Sequence, residues 1–89
     1  MKPKTNVALL ESFLTGVKDA KHRNLEIVDF KLYNYGTLIA WCEYGELKIT
    51  NVTYSVTTSK LCGILRDLAE EHNGETPELS DPPPEYISL

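Results

Sequence analysis

The sequence predicts an α+β fold: a two-layer α-β-β-β-α arrangement in which two helices cover one face of a three-stranded antiparallel meander. Three observations support this class. Apolar residues recur at helical spacing in two segments, one near each end of the chain. Between them the apolar pattern has the period of two that is typical of strands, and short turns connect the strands. The second face of the sheet would then be exposed or covered by a partner.

The first helix is predicted over Val7–Ala20, with Asn6 as its N-cap. The residues that would form its buried side recur every three or four positions. They are Val7, Leu10, Phe13, Leu14 and Val17.

Three strands are predicted next. The first lies within "LEIVDFKLYNY", where Val28, Phe30 and Leu32 would share the buried face. A turn at "YNYGT" leads to "TLIAWCEY", which is apolar on both sides and therefore suits a central strand. A second turn at Gly45 leads to "ELKITNVTY", the third strand, with a bulge or turn near Asn51.

The second helix follows the stretch "TYSVTTSKL". Its apolar stripe is formed by residues at i, i+3, i+4 and i+7, namely Leu61, Ile64, Leu65 and Leu68. Asn73-Gly74 provides the C-terminal stop. Residues 1–74 are therefore predicted to form a single compact domain, and residues 75–89 an acidic, proline-rich flexible tail.

Charge and composition argue against several classes of function. The net charge of −4 is low, and the four acids of residues 75–89 account for all of it. A body with equal numbers of acids and bases argues against strong non-specific nucleic-acid binding. The longest apolar runs are far shorter than the roughly 20 residues of a membrane span. No signal-peptide pattern follows the first lysines, so we expect a cytoplasmic protein (in the host-cell cytoplasm if the protein is viral) without membrane contact.

No cofactor, metal site or catalytic centre is expected. Cys42 and Cys62 stand singly within apolar runs, without a CxxC motif, which is typical of buried free thiols. His22 and His72 lie in polar surroundings, and neither has a nucleophile beside it in sequence. The sequence therefore predicts a protein that is not an enzyme.

The hydroxyl-rich stretch before the second helix has two interpretations. In the first, Thr57 is the N-cap and Val56 and Leu61 form a hydrophobic staple around it. In the second, Thr57, Thr58, Ser59 and Lys60 form an anion or partner site at the positive end of the helix dipole. No glycine-rich loop accompanies them to let a ligand approach the backbone closely.

The run Tyr54-Ser55-Val56-Thr57-Thr58-Ser59-Lys60, which follows the aromatic-rich strands with "NYGTLIAW", resembles an uncharacterised family of small phage and plasmid proteins. That family shares a Tyr-Ser-x-Thr-Thr-Ser-Lys segment leading into a helix. The resemblance covers roughly residues 30–68. It implies an origin in a mobile element and no particular activity. Where the family has a histidine after the lysine, this chain has Leu61, which speaks against a polar role at that position.

A second group of candidate residues is aromatic. Tyr33, Tyr35, Trp41, Tyr44 and Lys48 lie on or beside neighbouring predicted strands, with Lys31 in the same region. If Trp41 is in phase with Ile39, and Tyr33 with Lys31, the outer sheet face carries rings beside lysines. Such a face suits a protein partner or single-stranded nucleic acid. The alternative is that these rings fill the core.

These observations lead to one functional expectation. The protein is expected to be a small non-enzymatic interaction protein, from a phage or mobile element, that docks on a host or viral protein or on copies of itself. The alternative is a nucleic-acid-binding accessory protein that uses the aromatic outer face of the sheet.

Overall fold

The computed structural model describes residues 5–43, 45–52 and 55–83. Within them lie two helices and six strands. In chain order these are α1 (Asn6–Leu14), β1 (Ala20–His22), β2 (Leu25–Val28), β3 (Lys31–Asn34), β4 (Thr37–Glu43), β5 (Glu46–Thr50), α2 (Val56–Asn73) and β6 (Glu78–Ser80).

The strands form one mixed sheet in the order β1-β2-β3-β4-β5-β6. The first five strands pair antiparallel with their sequence neighbours, and β6 returns after α2 to pair parallel with β5. The predicted α+β class, with two helices, is confirmed. The three-stranded meander is wrong, because the described sheet has six strands and one parallel pair.

Both helices contribute to one apolar core on one side of the sheet, which we call the inner face. Helix α1 contacts β1 and β2, and α2 contacts α1 and β4. Their buried residues pack with strand residues in a single cluster of Leu9, Leu10, Phe13, Leu25, Ile27, Leu32, Ile39, Ala40, Ile49, Leu61 and Leu65. Burial of this apolar surface is the main stabilising contribution in a domain of this size.

A β-bulge in β4 distributes the residues of this central strand between the two faces. Leu32 pairs with Ala40 and Tyr33 pairs with Leu38, so Ile39 is an extra residue on β4. Ile39 and Ala40 both join the inner core, whereas Leu38 and Trp41 pack together on the opposite side, the outer face. The condition that Trp41 be in phase with Ile39, on which the predicted aromatic outer face depended, is therefore not met.

The first helix is shorter than predicted. It starts at Asn6 behind the N-cap Thr5, whose side chain accepts a 3.0 Å hydrogen bond from the backbone N–H of Ala8. It ends at Leu14 because Gly16 adopts a left-handed φ of +91° that an α-helix cannot continue. Val17 lies beyond this stop and is partly exposed.

The predicted first strand is two strands joined by a tight turn at Asp29-Phe30. Both turn residues have positive φ, the geometry of a two-residue hairpin loop. Hydrogen bonds from outside the hairpin hold the turn: the Asp29 N–H donates to Asp19 Oδ1 (3.1 Å) and the Phe30 N–H donates to the Lys18 carbonyl (3.0 Å). Phe30 is consequently 46% exposed rather than buried with Leu32.

The second helix matches its prediction closely in extent. It ends where predicted, at Gly74, which has φ +75° and whose N–H donates to the Glu70 carbonyl. Leu61 and Leu65 are buried as expected, but Ile64 is 39% exposed. The buried side of α2 is completed instead by Thr58 and Ala69.

Regular structure continues beyond the predicted domain boundary. Within the predicted flexible tail of residues 75–89, Glu78–Ser80 pair with Lys48–Thr50 as β6. Pro77, just before this strand, is buried. Residues 84–89 of the predicted tail lie outside the described residues.

Candidate functional site

The hydroxyl-rich stretch begins helix α2, but with a different cap from the predicted one. Ser55 is the N-cap: its Oγ accepts a 3.1 Å hydrogen bond from the Thr58 N–H, and its carbonyl accepts one of 2.9 Å from the Ser59 N–H. The prediction of Thr57 as N-cap is wrong, since Thr57 lies inside the helix with its side chain exposed. Serine and threonine are both favoured N-cap residues, and the stretch contains several of them, so composition alone did not identify the cap.

The predicted anion-site residues do not converge. Thr58 is 6% exposed and turned inward, where its Oγ1 accepts a 2.9 Å hydrogen bond from Nδ2 of the buried Asn34. Thr57, Ser59 and Lys60 are exposed on the helix surface. The Thr58–Asn34 bond instead connects the start of α2 to the end of β3 across the inner face.

The predicted aromatic residues are divided between the interior and the surface. Tyr33 and Trp41 lie together on the outer face with Leu38, and they are only 4% and 0% exposed. Tyr35 is separate, in the β3–β4 turn with 68% exposure, and Tyr44 lies outside the described residues. The two rings on the sheet are therefore not presented to solvent as a stacking surface.

The fifth residue of the predicted partner-binding set, Lys48, pairs with Trp41 across β4–β5 and is held in an ion-pair network. Its Nζ lies 2.9 Å from Glu78 Oε2 and 3.1 Å from Glu46 Oε2. The hydrogen bond from Lys48 lowers the pKa of Glu78, and the bonds to Glu78 and Glu46 raise the pKa of Lys48. Lys48 thus joins β6 to β5 on the outer face.

A groove lies between α2 and the β5–β6 edge, and we call it the α2–β6 groove. Its volume is about 290 Å³. Because α2 lies over β4, the inner side of β6 is only partly covered, and Leu79 is 57% exposed there. The described lining consists of Ile49, Thr50, Asn51, Val52, Thr58, Ser59, Cys62, Gly63, Arg66 and Leu79.

The described lining of the α2–β6 groove combines apolar side chains with neutral polar ones and one charged side chain. Val52 and Leu79 are exposed apolar side chains on its strand side, and Gly63 leaves open space in its helix wall. Among the described lining residues, Arg66 carries the one formal charge. Burial raises the pKa of the Cys62 thiol, so this cysteine is protonated and weakly nucleophilic at neutral pH.

A larger hollow, of about 430 Å³, lies at the other end of the β5–β6 pair. Its described lining includes three acids, Glu46, Glu75 and Glu78, and no basic residue. Within the described ranges, no group of His, Cys, Asp and Glu side chains is placed to hold a metal ion. Neither described helix is long and apolar enough to cross a bilayer.

Comparison with known proteins gives no further assignment: no protein-family model, curated protein or solved structure matches the chain. The resemblance to phage and plasmid proteins stays a prediction.

Sequence reasoning missed the α2–β6 groove altogether. Leu79 is flanked by prolines and acids, where no strand pattern is visible, and Val52 was included in a strand that ends at Thr50. A useful signal was Gly63, a small residue within an otherwise strong helix pattern. Such a glycine costs helix stability, and its missing side chain leaves open space on the helix surface.

Proposed function

We propose that the protein is a small non-enzymatic binding module that holds an apolar segment of a partner protein in the α2–β6 groove. The observation that carries the proposal is the placement of Leu79 and Val52, exposed by 57% and 44%, on one side of a groove opposite the side-chain-free Gly63. Exposed apolar side chains around a concavity are typical of protein-interaction sites. The expected origin in a phage or mobile element is part of the same proposal.

The charge of the groove defines the partner further. Arg66 stands at the helix side of an otherwise uncharged described lining, on a protein whose net charge is −4. A partner segment with apolar side chains and one carboxylate would satisfy both the apolar walls and the guanidinium, which binds carboxylates with two parallel hydrogen bonds. A second copy of the chain is less suited as the partner, because two copies of net charge −4 repel each other.

The alternative of nucleic-acid binding through the outer face receives less support from the geometry. Base stacking needs accessible rings, and Tyr33 and Trp41 are almost completely buried. Lys48, which is the cross-strand partner of Trp41, is already paired with two carboxylates.

The test is selection from a peptide library on the full chain, followed by affinity measurement of the enriched peptides on matched variants. Gly63→Leu fills the groove from a position where an added Cβ meets no atom within 4 Å. It also replaces glycine by a better helix former, so the fold should be kept. We expect Gly63→Leu to abolish peptide binding. We expect Arg66→Glu to lower the affinity for the acidic peptides at least tenfold.

The control is Asp67→Leu, which adds the same side chain at an exposed position of the same helix outside the groove lining. It should leave peptide affinity unchanged. The binding surface would lie elsewhere if both leucine variants lost the same amount of peptide affinity. The same would follow if the selected peptides bound Gly63→Leu as tightly as the unaltered protein. Retention of single-stranded DNA by the full chain at moderate salt would favour the nucleic-acid alternative.

A further inference from the structure

The described sheet ends on one side with β6, and the outward edge of this strand is open. Among the described strands, β6 pairs only with β5. In a parallel pair, the backbone groups of successive residues point alternately toward the neighbouring strand and away from it. The Ser80 carbonyl accepts a 3.0 Å hydrogen bond from the Asn51 N–H, so Ser80 faces β5. The N–H and C=O of Leu79 therefore face outward, where no described residue bonds to them.

The opposite edge of the sheet is better protected. Strand β1 forms that edge, and its middle residue is the exposed Lys21. A lysine on an edge strand is a common means of preventing the addition of another strand. The middle residue of β6 is instead Leu79, an apolar side chain that is 57% exposed and lines the α2–β6 groove. Of the two edges, β6 is thus the one that offers an apolar contact to an added strand.

We propose that the partner segment held in the α2–β6 groove binds as a β-strand added to the outward edge of β6. The inference rests on the peptide-binding function proposed above and specifies how the peptide is held. The added strand satisfies the N–H and C=O of Leu79 whether it runs parallel or antiparallel to β6. Its side chain beside Leu79 lies on the same face of the sheet, toward α2. Main-chain hydrogen bonds then supply affinity, and alternate side chains supply specificity.

The charges near β6 define the partner segment further. The hollow at the start of β6 is lined by Glu46, Glu75 and Glu78, with no basic residue in its described lining. Lys48 pairs with two of these carboxylates, so negative charge remains in excess. The segment therefore carries lysine or arginine at the end that lies over these acids, in addition to the carboxylate expected opposite Arg66. A second copy of β6 fits poorly, because its own Glu78 would add to the negative charge.

The first experiment modifies the peptide. Each residue of a peptide selected on the full chain is N-methylated in turn, which replaces one backbone N–H by a methyl group. In an added strand, one peptide N–H donates to the Leu79 carbonyl, and the N–H groups of its two neighbours point away from β6. We expect methylation to lower affinity about tenfold or more at that position and much less at the residues on either side. Dependence on adjacent N–H groups, or on none of them, would overturn the proposal.

The second experiment modifies the protein. Leu79→Pro replaces the outward N–H by the proline ring but leaves the backbone bonds of Glu78 and Ser80 to β5 in place. The control is Leu79→Val, which has a side chain of similar size and keeps the N–H. We expect Leu79→Pro to bind the selected peptides about tenfold or more weakly than Leu79→Val, with the far-ultraviolet circular dichroism retained. If Leu79→Pro does not fold, the methylated peptides on the unaltered chain decide.

The outcomes separate this inference from the proposed function. If Gly63→Leu abolishes peptide binding but Leu79→Pro and Leu79→Val bind equally well, the groove is the site and strand addition is wrong. If Leu79→Pro weakens binding and Gly63→Leu does not, strand addition is supported and the groove proposal fails. Failure to select any peptide would overturn both. Dimerisation of the unaltered chain that Leu79→Pro prevents would overturn the choice of a partner protein and identify a second copy as the added strand.

Discussion

Both faces of the sheet carry side chains that are inaccessible to solvent, but the two faces are built differently. On the inner face, α1 and α2 contribute Leu9, Leu10, Leu61 and Leu65 to one large cluster with the strands. On the outer face, a small cluster around Trp41 is equally inaccessible, without a described helix over it. The difference shows that a helix-covered face can be recognised from apolar periodicity in the sequence, whereas the burial of the outer-face cluster leaves no such pattern.

The sharpest test of the outer face is Trp41→Ala. If this face is a true core, the substitution should destabilise the protein by about 3–5 kcal/mol, because a large ring is replaced by a cavity. The change also removes the 3.1 Å hydrogen bond from Trp41 Nε1 to Glu43 Oε2. Chemical denaturation followed by circular dichroism measures the loss. A cost below about 1 kcal/mol, the value of an average substitution, would show that the ring is accessible in solution and that the faces are not equivalent.

The matching test of the inner face is Leu65→Ala. Leu65 is completely buried in the middle of α2, so we expect a loss of about 2–5 kcal/mol. The control is Ile64→Ala, on the neighbouring residue, whose side chain is 39% exposed and should cost clearly less. Equal costs would mean that α2 is rotated relative to the inner face.

The sequence allowed correct structural predictions where the local structure depends on residues that are close together in the chain. The stripe of α2 and its stop at Gly74 could be predicted because both depend on residues within two helical turns. Turn residues near Gly36 and Gly45 were visible for the same reason. The α+β class followed from these elements.

Long-range interactions explain what sequence reasoning missed. The Asp29-Phe30 turn has neither glycine nor proline and is held by Lys18 and Asp19, about ten residues away. Strand β6 is only three residues long. It is separated in sequence from its partner β5 by the whole of α2, and its pairing with β5 forms one side of the α2–β6 groove. The bulge at Ile39, which divides the two faces, depends on pairing with β3. None of these leaves a periodic pattern in the sequence.

A smaller effect tests how the inner-face helix begins. Ser55→Ala should destabilise the protein by about 0.5–2 kcal/mol, because the Thr58 N–H loses its acceptor at the N-cap. Thr57→Ala serves as the matched control. It removes an exposed hydroxyl two residues away and should stay within about 0.5 kcal/mol of the unaltered protein. A larger loss for Thr57→Ala than for Ser55→Ala would restore Thr57 as the cap.

The smallest expected effect concerns the polar end of the outer face, where Lys48 connects β6 to β5. Hydrogen bonding to Lys48 lowers the folded-state pKa of Glu78, so the stability it contributes is present above the ordinary glutamate pKa of about 4.3. That contribution is lost as pH falls through the lowered folded-state pKa. Since the pKa of Lys48 is raised, its share is lost only when pH rises above about 10.4, the ordinary lysine value.

Glu78→Gln should therefore be slightly less stable than the unaltered protein near neutral pH, and the difference should vanish in acid. The effect should be small because the Glu78 carboxylate is exposed to solvent, and added salt should reduce it further. Glu46→Gln is the control: it removes the other acceptor of Lys48 but leaves the Lys48–Glu78 connection to β6 in place. Denaturation midpoints of the three proteins across the acidic range measure the effect. A Glu78→Gln deficit that stays constant down to strong acid would show that the Glu78 side chain supports β6 through interactions other than its charge. The ion pair with Lys48 would then contribute nothing measurable to the pairing of β6 with β5.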